Sequence, residues 1–206
     1  MNEKDPSSIL ERIEQWDHRI FLKIYHGEFS TRIRSLAKIY SFFGNALWWA
    51  VVGVFIFFLN YFMKDYYLFF LFFGGYCQSI ILFLILRYGF INRRRPYRTL
   101  KEHGVEKSDE IVRESRSFPS GHVTFFIFYG CLFSFYFESY FLLIIFVGLA
   151  ILMALSRLIL GMHFPSDVIV GLISGSIFAL LYLGLTYPLW IELFYFLVNL
   201  FPFIFY

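Results

Sequence analysis

Pro119-Ser120-Gly121-His122 and Ser156-Arg157, the latter followed by His163 and Asp167, gather residue types suited to transferring a phosphoryl group. Such a transfer needs charge stabilisation on the equatorial oxygens, an in-line nucleophile and a proton for the leaving group. A neutral imidazole attacks phosphorus without a metal, which fits His163 as the nucleophile. Asp167 lies one helical turn on, where its carboxylate can accept the N–H of the other ring nitrogen and fix the tautomer. Pro165 suits the first turn of a helix opening there. Ser120 can donate its hydroxyl, and Gly121 its N–H, to an anion at a positive helix end. His122 is placed to protonate a departing oxygen and then to activate water. Arg95 and Arg157 can grip phosphate oxygens through paired N–H bonds that a lysine does not reproduce.

The strings P-S-G-H and S-R-x5-H-x3-D, with Arg95-Pro96 upstream, resemble the three-part signature of the type 2 phosphatidic acid phosphatase superfamily, which includes the vanadium haloperoxidases. The resemblance covers roughly residues 87–170. It implies a phosphohistidine on His163, His122 as general acid and Asp167 as the residue that orients the nucleophile. Phosphate binding falls to Arg95, Ser120, Gly121 and Arg157. It also implies no cofactor and no metal site. One element departs from the family: its first part is usually Lys-x6-Arg-Pro, and the lysine's place is taken by Tyr88. Arg87 is adjacent but points about 100° away on a helix, and Arg93 and Arg94 are the other candidate substitutes.

The elements that must position these residues are membrane helices. The chain has 206 residues, of which 59% are hydrophobic, 24% aromatic and only 16% charged, with mean hydropathy +0.63. A soluble domain would carry about a quarter charged residues, and apolar stretches near 20 residues recur here, the length a bilayer core requires. The expectation is an all-α integral membrane bundle of about six transmembrane helices. Apolar runs fall at 46–63, 66–91, 122–137, 140–160 and 168–187, with a sixth at 189–206 that contains Glu192, Asn199 and Pro202. Short connections at Lys64-Asp65 and Glu138-Ser139 make antiparallel hairpins. That alternation puts Arg95, His122, Arg157 and His163 at one membrane face. Gly171, Gly175 and Ala179 form a small-xxx-small face for close packing.

Residues 1–44 read as an amphipathic N-terminal segment lying in the interface, without the uninterrupted apolar core of a signal peptide. Residues 45–206 form the transmembrane domain, in which 92–118 is a polar, Arg-rich active-site loop. Cys77 and Cys131 lie inside apolar runs and support neither a disulfide framework nor a metal site. The expected partners are the bilayer and a membrane lipid phosphate. No nucleic-acid-binding motif accompanies the basic residues, and no protein partner is inferable.

The leading function is therefore metal-independent hydrolysis of a phosphate or diphosphate on a lipid. Phosphatidate, phosphatidylglycerophosphate, a polyprenyl diphosphate and a lipid A phosphate all remain open. A phosphotransferase using the same histidine is the alternative, and a small lipid transporter is a third reading. The membrane is expected to be a bacterial inner membrane. Of the 18 Lys and Arg, only Lys64 falls in a connection opposite the motifs, which argues for a cytoplasmic site, whereas the resemblance implies the extracytoplasmic side.

Overall fold

The computed structural model describes residues 8–89, 91–108 and 115–200. Among them the chain is helical, its one isolated bridge pairing Arg94 with Arg116. Nine α-helices follow in order: α1 Ile9–Tyr25, α2 Glu28–Phe42, α3 Ala46–Met63, α4 Tyr67–Gly89, α5 Pro96–Thr99, α6 Gly121–Tyr136, α7 Tyr140–Ile159, α8 Pro165–Leu181 and α9 Tyr187–Leu200. Among the described residues, four helical stretches are long and apolar enough to cross a membrane: α3, α4, α7 and the rod Pro165–Leu200. Helix α6 is apolar but shorter, at 16 residues.

Each hairpin is pinned by a polar residue where the backbone would otherwise lack a partner. Asn45 caps α3 through the Leu47 N–H, and Ser139 caps α7 through the Leu142 N–H. Asn60, buried near the end of α3, accepts the Phe69 N–H at 2.8 Å and so ties α3 to α4. Both tight connections turn on a residue in the left-handed region, Lys64 and Glu138.

The fifth and sixth apolar runs do not form a hairpin. Helix α8 passes through a π-helical segment at Tyr182–Thr186 directly into α9. No polar linker interrupts 182–191, and the widened turn accommodates Pro188, which has no N–H to give. The 36-residue rod is about 54 Å long at 1.5 Å per residue, well beyond a hydrocarbon core of about 30 Å. Pro202, counted in the sixth run, lies outside the described residues.

Helices α6 and α8 pack backbone against backbone. A Cβ on Gly171 would meet the Ser120 carbonyl oxygen at 2.9 Å, and one on Gly175 would collide with the Thr124 carbonyl. The small-residue face thus fits backbone against backbone, as van der Waals packing in lipid requires. Tyr182 donates to the Leu71 carbonyl at 2.7 Å and fastens the rod to α4.

Helices α1 and α2 each combine buried residues with exposed apolar ones. Phe21 and Tyr25 of α1 are buried, Phe21 meeting the Phe164 ring edge-on at 5.6 Å between centroids. Ala37 of α2 packs on Ile159, Leu160 and Met162. Tyr40 donates to the Leu149 carbonyl at 2.8 Å. At the N-terminal end of α1, Ile9, Leu10 and Ile13 stay exposed, and on the far side of α2 so do Phe29, Leu36 and Ile39.

Candidate active site

Four helix ends and the described parts of the 92–118 loop, 92–108 and 115–118, converge at one end of the bundle. The last turn of α4 brings in Arg87, which is buried and donates to the carbonyls of Pro119 at 3.1 Å and Arg116 at 2.7 Å. Tyr88, at the place where the family carries lysine, turns outward and lies against the Arg116 guanidinium. Of the three candidate substitutes, Arg87 lies near enough to both histidines to act on them electrostatically. Arg93 is engaged elsewhere, and Arg94 is exposed.

Arg95 precedes Pro96, which opens α5. Its guanidinium is buried and donates to the Met162 carbonyl at 3.1 Å and to His163 Nε2 at 3.3 Å. Because a guanidinium only donates, Nε2 must present its lone pair. The proton of the neutral ring is therefore on Nδ1. The nitrogen that faces the cations is thus the unprotonated one, its lone pair held by Arg95.

Ser120 precedes α6, after a cis Phe118-Pro119 bond. Its N–H donates to the Asp167 carbonyl at 3.1 Å, joining the first turns of α6 and α8. Its hydroxyl is buried and meets no hydrogen-bond partner. Polar groups buried in that way are rare in proteins and call for an explanation. Gly121 has no room for a side chain, since a Cβ would lie 2.8 Å from the Phe83 ring. His122 follows, half-buried, with Gly44 packed so closely that a Cβ there would fall 2.8 Å from the His122 Cβ. Arg157, Arg95 and Arg87 and the His163 ring lie near enough to act on His122 electrostatically.

Arg157, in the last turn of α7, is fully buried and donates through Nη1 to the Ser41 hydroxyl of α2. The chain then turns at Gly161, whose φ of 71° lies in the left-handed region and whose Cβ would meet the Glu106 carbonyl at 2.9 Å. That turn delivers His163 into the site. Burial, reinforced by Arg95 and Arg157, pushes its imidazole well below the ordinary value of 6.5, with the Ser117 carbonyl acting the other way. His163 is thus neutral at physiological pH. Asp167 Oδ2 stands 3.8 Å from His163 Nδ1. The same oxygen accepts the Phe164 N–H at 2.8 Å and the Ser117 hydroxyl, while Oδ1 accepts from Arg93 at 3.3 Å.

Arg87, Arg95, Ser120, Gly121, His122, Arg157, His163 and Asp167 thus lie at this one rim; Arg93 is there too, bound to Asp17 and Asp167, while Arg94 is exposed. Sequence reasoning missed Asp17, Ser41, Ser117 and Ser166. For Asp17 a signal existed: it lies in register with Phe21 and Tyr25 at i, i+4, i+8, a carboxylate on the buried stripe of α1. Among the described residues, no group of three or more His, Cys, Asp or Glu is placed to hold a metal ion.

Three buried guanidinium groups around two imidazoles, at the mouth of a helix N-terminus, make a field suited to a multiply charged oxyanion. The fold and rim define an all-helical protein with membrane-length apolar helices and an anion-binding end. The PAP2 superfamily model matches residues 66–190, and the chain belongs to that superfamily. Lipid A 1-phosphatases of Rhizobium johnstonii and Rhizobium etli are each 42% identical to it over 65 residues, 32% of this chain. Those stretches are 26% and 27% of the two relatives, so the chain spans about a quarter of their length. The crystal structure of Aquifex aeolicus LpxE shares the fold, with a TM-score of 0.58 at 20% identity over 82% of this chain and 95% of that one.

Proposed function

We propose that the protein is a membrane lipid phosphatase that works through a phosphohistidine on His163. The single observation that supports this most is the pairing around that ring: Arg95 on Nε2 at 3.3 Å, which assigns the lone pair, and Asp167 behind Nδ1. Beside it lies the partnerless Ser120 hydroxyl at the start of α6.

In the first step the His163 Nε2 lone pair forms a bond to phosphorus and the bond from phosphorus to the lipid oxygen breaks. With the substrate's phosphate charge offsetting the guanidinium groups around it, His122 takes up a proton and gives it to that departing oxygen. Arg87, Arg95 and Arg157 hold the equatorial oxygens, with Ser120 Oγ–H and the first N–H groups of α6 adding donors. Asp167 stabilises the charge that develops on the imidazole. In the second step His122, now neutral, takes a proton from water as its oxygen attacks phosphorus. The P–N bond breaks, inorganic phosphate leaves, and His163 returns to neutral. Guanidinium groups supply all the cationic charge, so no metal takes part.

The substrate we infer is a phosphate monoester on a lipid of the lipid A type, since two relatives are named for that activity. The bundle would cross the membrane five times, through α3, α4, α6, α7 and the α8–α9 rod. Helices α1 and α2 would lie in the interface, with their exposed apolar residues in lipid and their buried ones on the bundle. The rim would open on the extracytoplasmic side of a bacterial inner membrane.

The test is a panel of radiolabelled lipid phosphates, each incubated with purified protein in the presence and absence of chelator. Release of inorganic phosphate, unaffected by chelator, is expected from lipid A 1-phosphate first. A labelled, acid-labile adduct should be trapped on the protein and be absent in His163→Ala. Transfer of label to another lipid instead of to water would make the protein a phosphotransferase. Full phosphate release by His163→Ala would remove the mechanism.

A further inference from the structure

Asp17 belongs to α1, upstream of the residues matched by the family model. It is fully buried. Its Oδ1 accepts the Ser166 N–H at 2.8 Å, and its Oδ2 accepts the Ser166 hydroxyl at 2.5 Å and Arg93 Nη2 at 2.7 Å. These contacts answer a defect of α8. The residue before its first turn is Phe164, whose side chain has no oxygen to cap the helix. Asp17 supplies that acceptor from another helix, and its charge sits at the favourable end of the α8 dipole.

Arg93 links this carboxylate to the catalytic one. Its Nη1 donates to Ser166 Oγ at 2.7 Å and to Asp167 Oδ1 at 3.3 Å, while its guanidinium lies 4.1 Å above the Phe164 ring. Two buried carboxylates therefore share one guanidinium, and Asp17 holds it more closely. Asp167 keeps Oδ2 turned toward the Phe164 N–H, Ser117 and His163 Nδ1.

We propose that Asp17 is a positioning residue for the His163–Asp167 pair, acting through Arg93 and the first turn of α8. The proposal rests on the phosphatase reading above. Without the Asp17 charge, Arg93 has Asp167 as its remaining carboxylate and pulls it away from His163. The Ser166 N–H also loses its acceptor, which loosens the turn that carries both residues.

The experiment uses the full-length protein in detergent micelles with Asp17→Asn, Asp17→Glu and Ser166→Ala. Asp17→Asn should lower kcat at least about tenfold, the scale on which small misplacements slow chemistry, with KM little changed. Asp17→Glu should recover part of that loss. Nitrogen-labelled histidine NMR supplies a readout independent of turnover: His163 should depart from the Nδ1-protonated neutral tautomer in Asp17→Asn. Should that variant not fold, Ser166→Ala removes one leg of the same contact and should shift the His163 signal the same way. A wild-type His163 spectrum in a folded Asp17→Asn or Ser166→Ala protein would overturn the proposal, as would an unchanged kcat. If the wild-type protein hydrolyses no lipid phosphate, the functional reading fails, and the tautomer still decides the place of Asp17.

Discussion

At the scale of single residues, the replacement of the family lysine is the sharpest case. Tyr88 stands at its place in sequence but faces outward, whereas Arg87 is buried toward the histidines. One residue of helix is a turn of about 100°, and which of the two faces inward depends on how α4 packs, which a motif does not encode. Arg87→Gln should cost about 10- to 100-fold in kcat/KM, matching the loss of hydrogen bonds to a charged group, about 1.5–3 kcal/mol. Tyr88→Lys should leave phosphate release nearly unchanged. Steady-state kinetics of the two variants, with a melting curve for each, checks this. His163 offers a second prediction, in pH. Its value is depressed in the folded protein, so the ring stays neutral and nucleophilic as pH falls through 6.5 and is lost only lower. The unfolded ring would bind a proton at 6.5, so the shift also makes stability fall as pH drops below that value. Arg95→Gln removes the largest of the charges that depress it, and the titration of labelled His163 should move upward, toward 6.5. No movement would mean that Arg95 does not act on this ring.

At the scale of elements, the contact between α6 and α8 fixes the distance between Ser120 and Asp167. Thr124 accepts no intrusion there: a methyl on Gly175 would overlap its carbonyl and Ile127. Gly175→Ala should therefore lower stability by about 1–3 kcal/mol, as overpacking does. Gly148→Ala, where a Cβ meets nothing within 4 Å, should leave the melting temperature in detergent unchanged or raise it slightly. Much of this framework was legible in the sequence because it is local: the runs that became α3, α4, α6 and α7, the helix opening at Pro165, and the small-residue stripe. Other features depend on distant contacts. The continuity of α8 and α9 rests on a π segment that accommodates Pro188, and hydropathy does not distinguish that from a hairpin. The Asp17 carboxylate meets Ser166 at a separation of 149 residues, so its partner could not be read from α1, although its place on a buried stripe was visible.

At the scale of the whole molecule, orientation is decided by which basic residues report on topology. Positive charge crowds the rim, with Lys64 in the turn at the far end. Read as a plain count, this would place the rim in the cytoplasm. Yet Arg87, Arg93, Arg95 and Arg157 are engaged with carbonyls, hydroxyls and carboxylates inside the protein. Their bonds belong to the architecture of the rim and, in the proposed mechanism, to phosphate binding, not to the loop charge that insertion senses. The basic residues of α1 and α2 sit beside that rim, where attraction to lipid phosphate headgroups gives them a use on either side. Helix α4, at about 1.5 Å per residue over 23 residues, separates the two ends by the thickness of a hydrocarbon core, so a reagent that does not cross the membrane discriminates between them. With Cys77 and Cys131 replaced by alanine, Lys107→Cys and Lys64→Cys each place one thiol on an exposed position. In intact cells an impermeant maleimide should label Lys107→Cys and spare Lys64→Cys, and permeabilisation should then expose both. The reverse pattern would put the rim, and the lipid phosphate it takes, on the cytoplasmic leaflet.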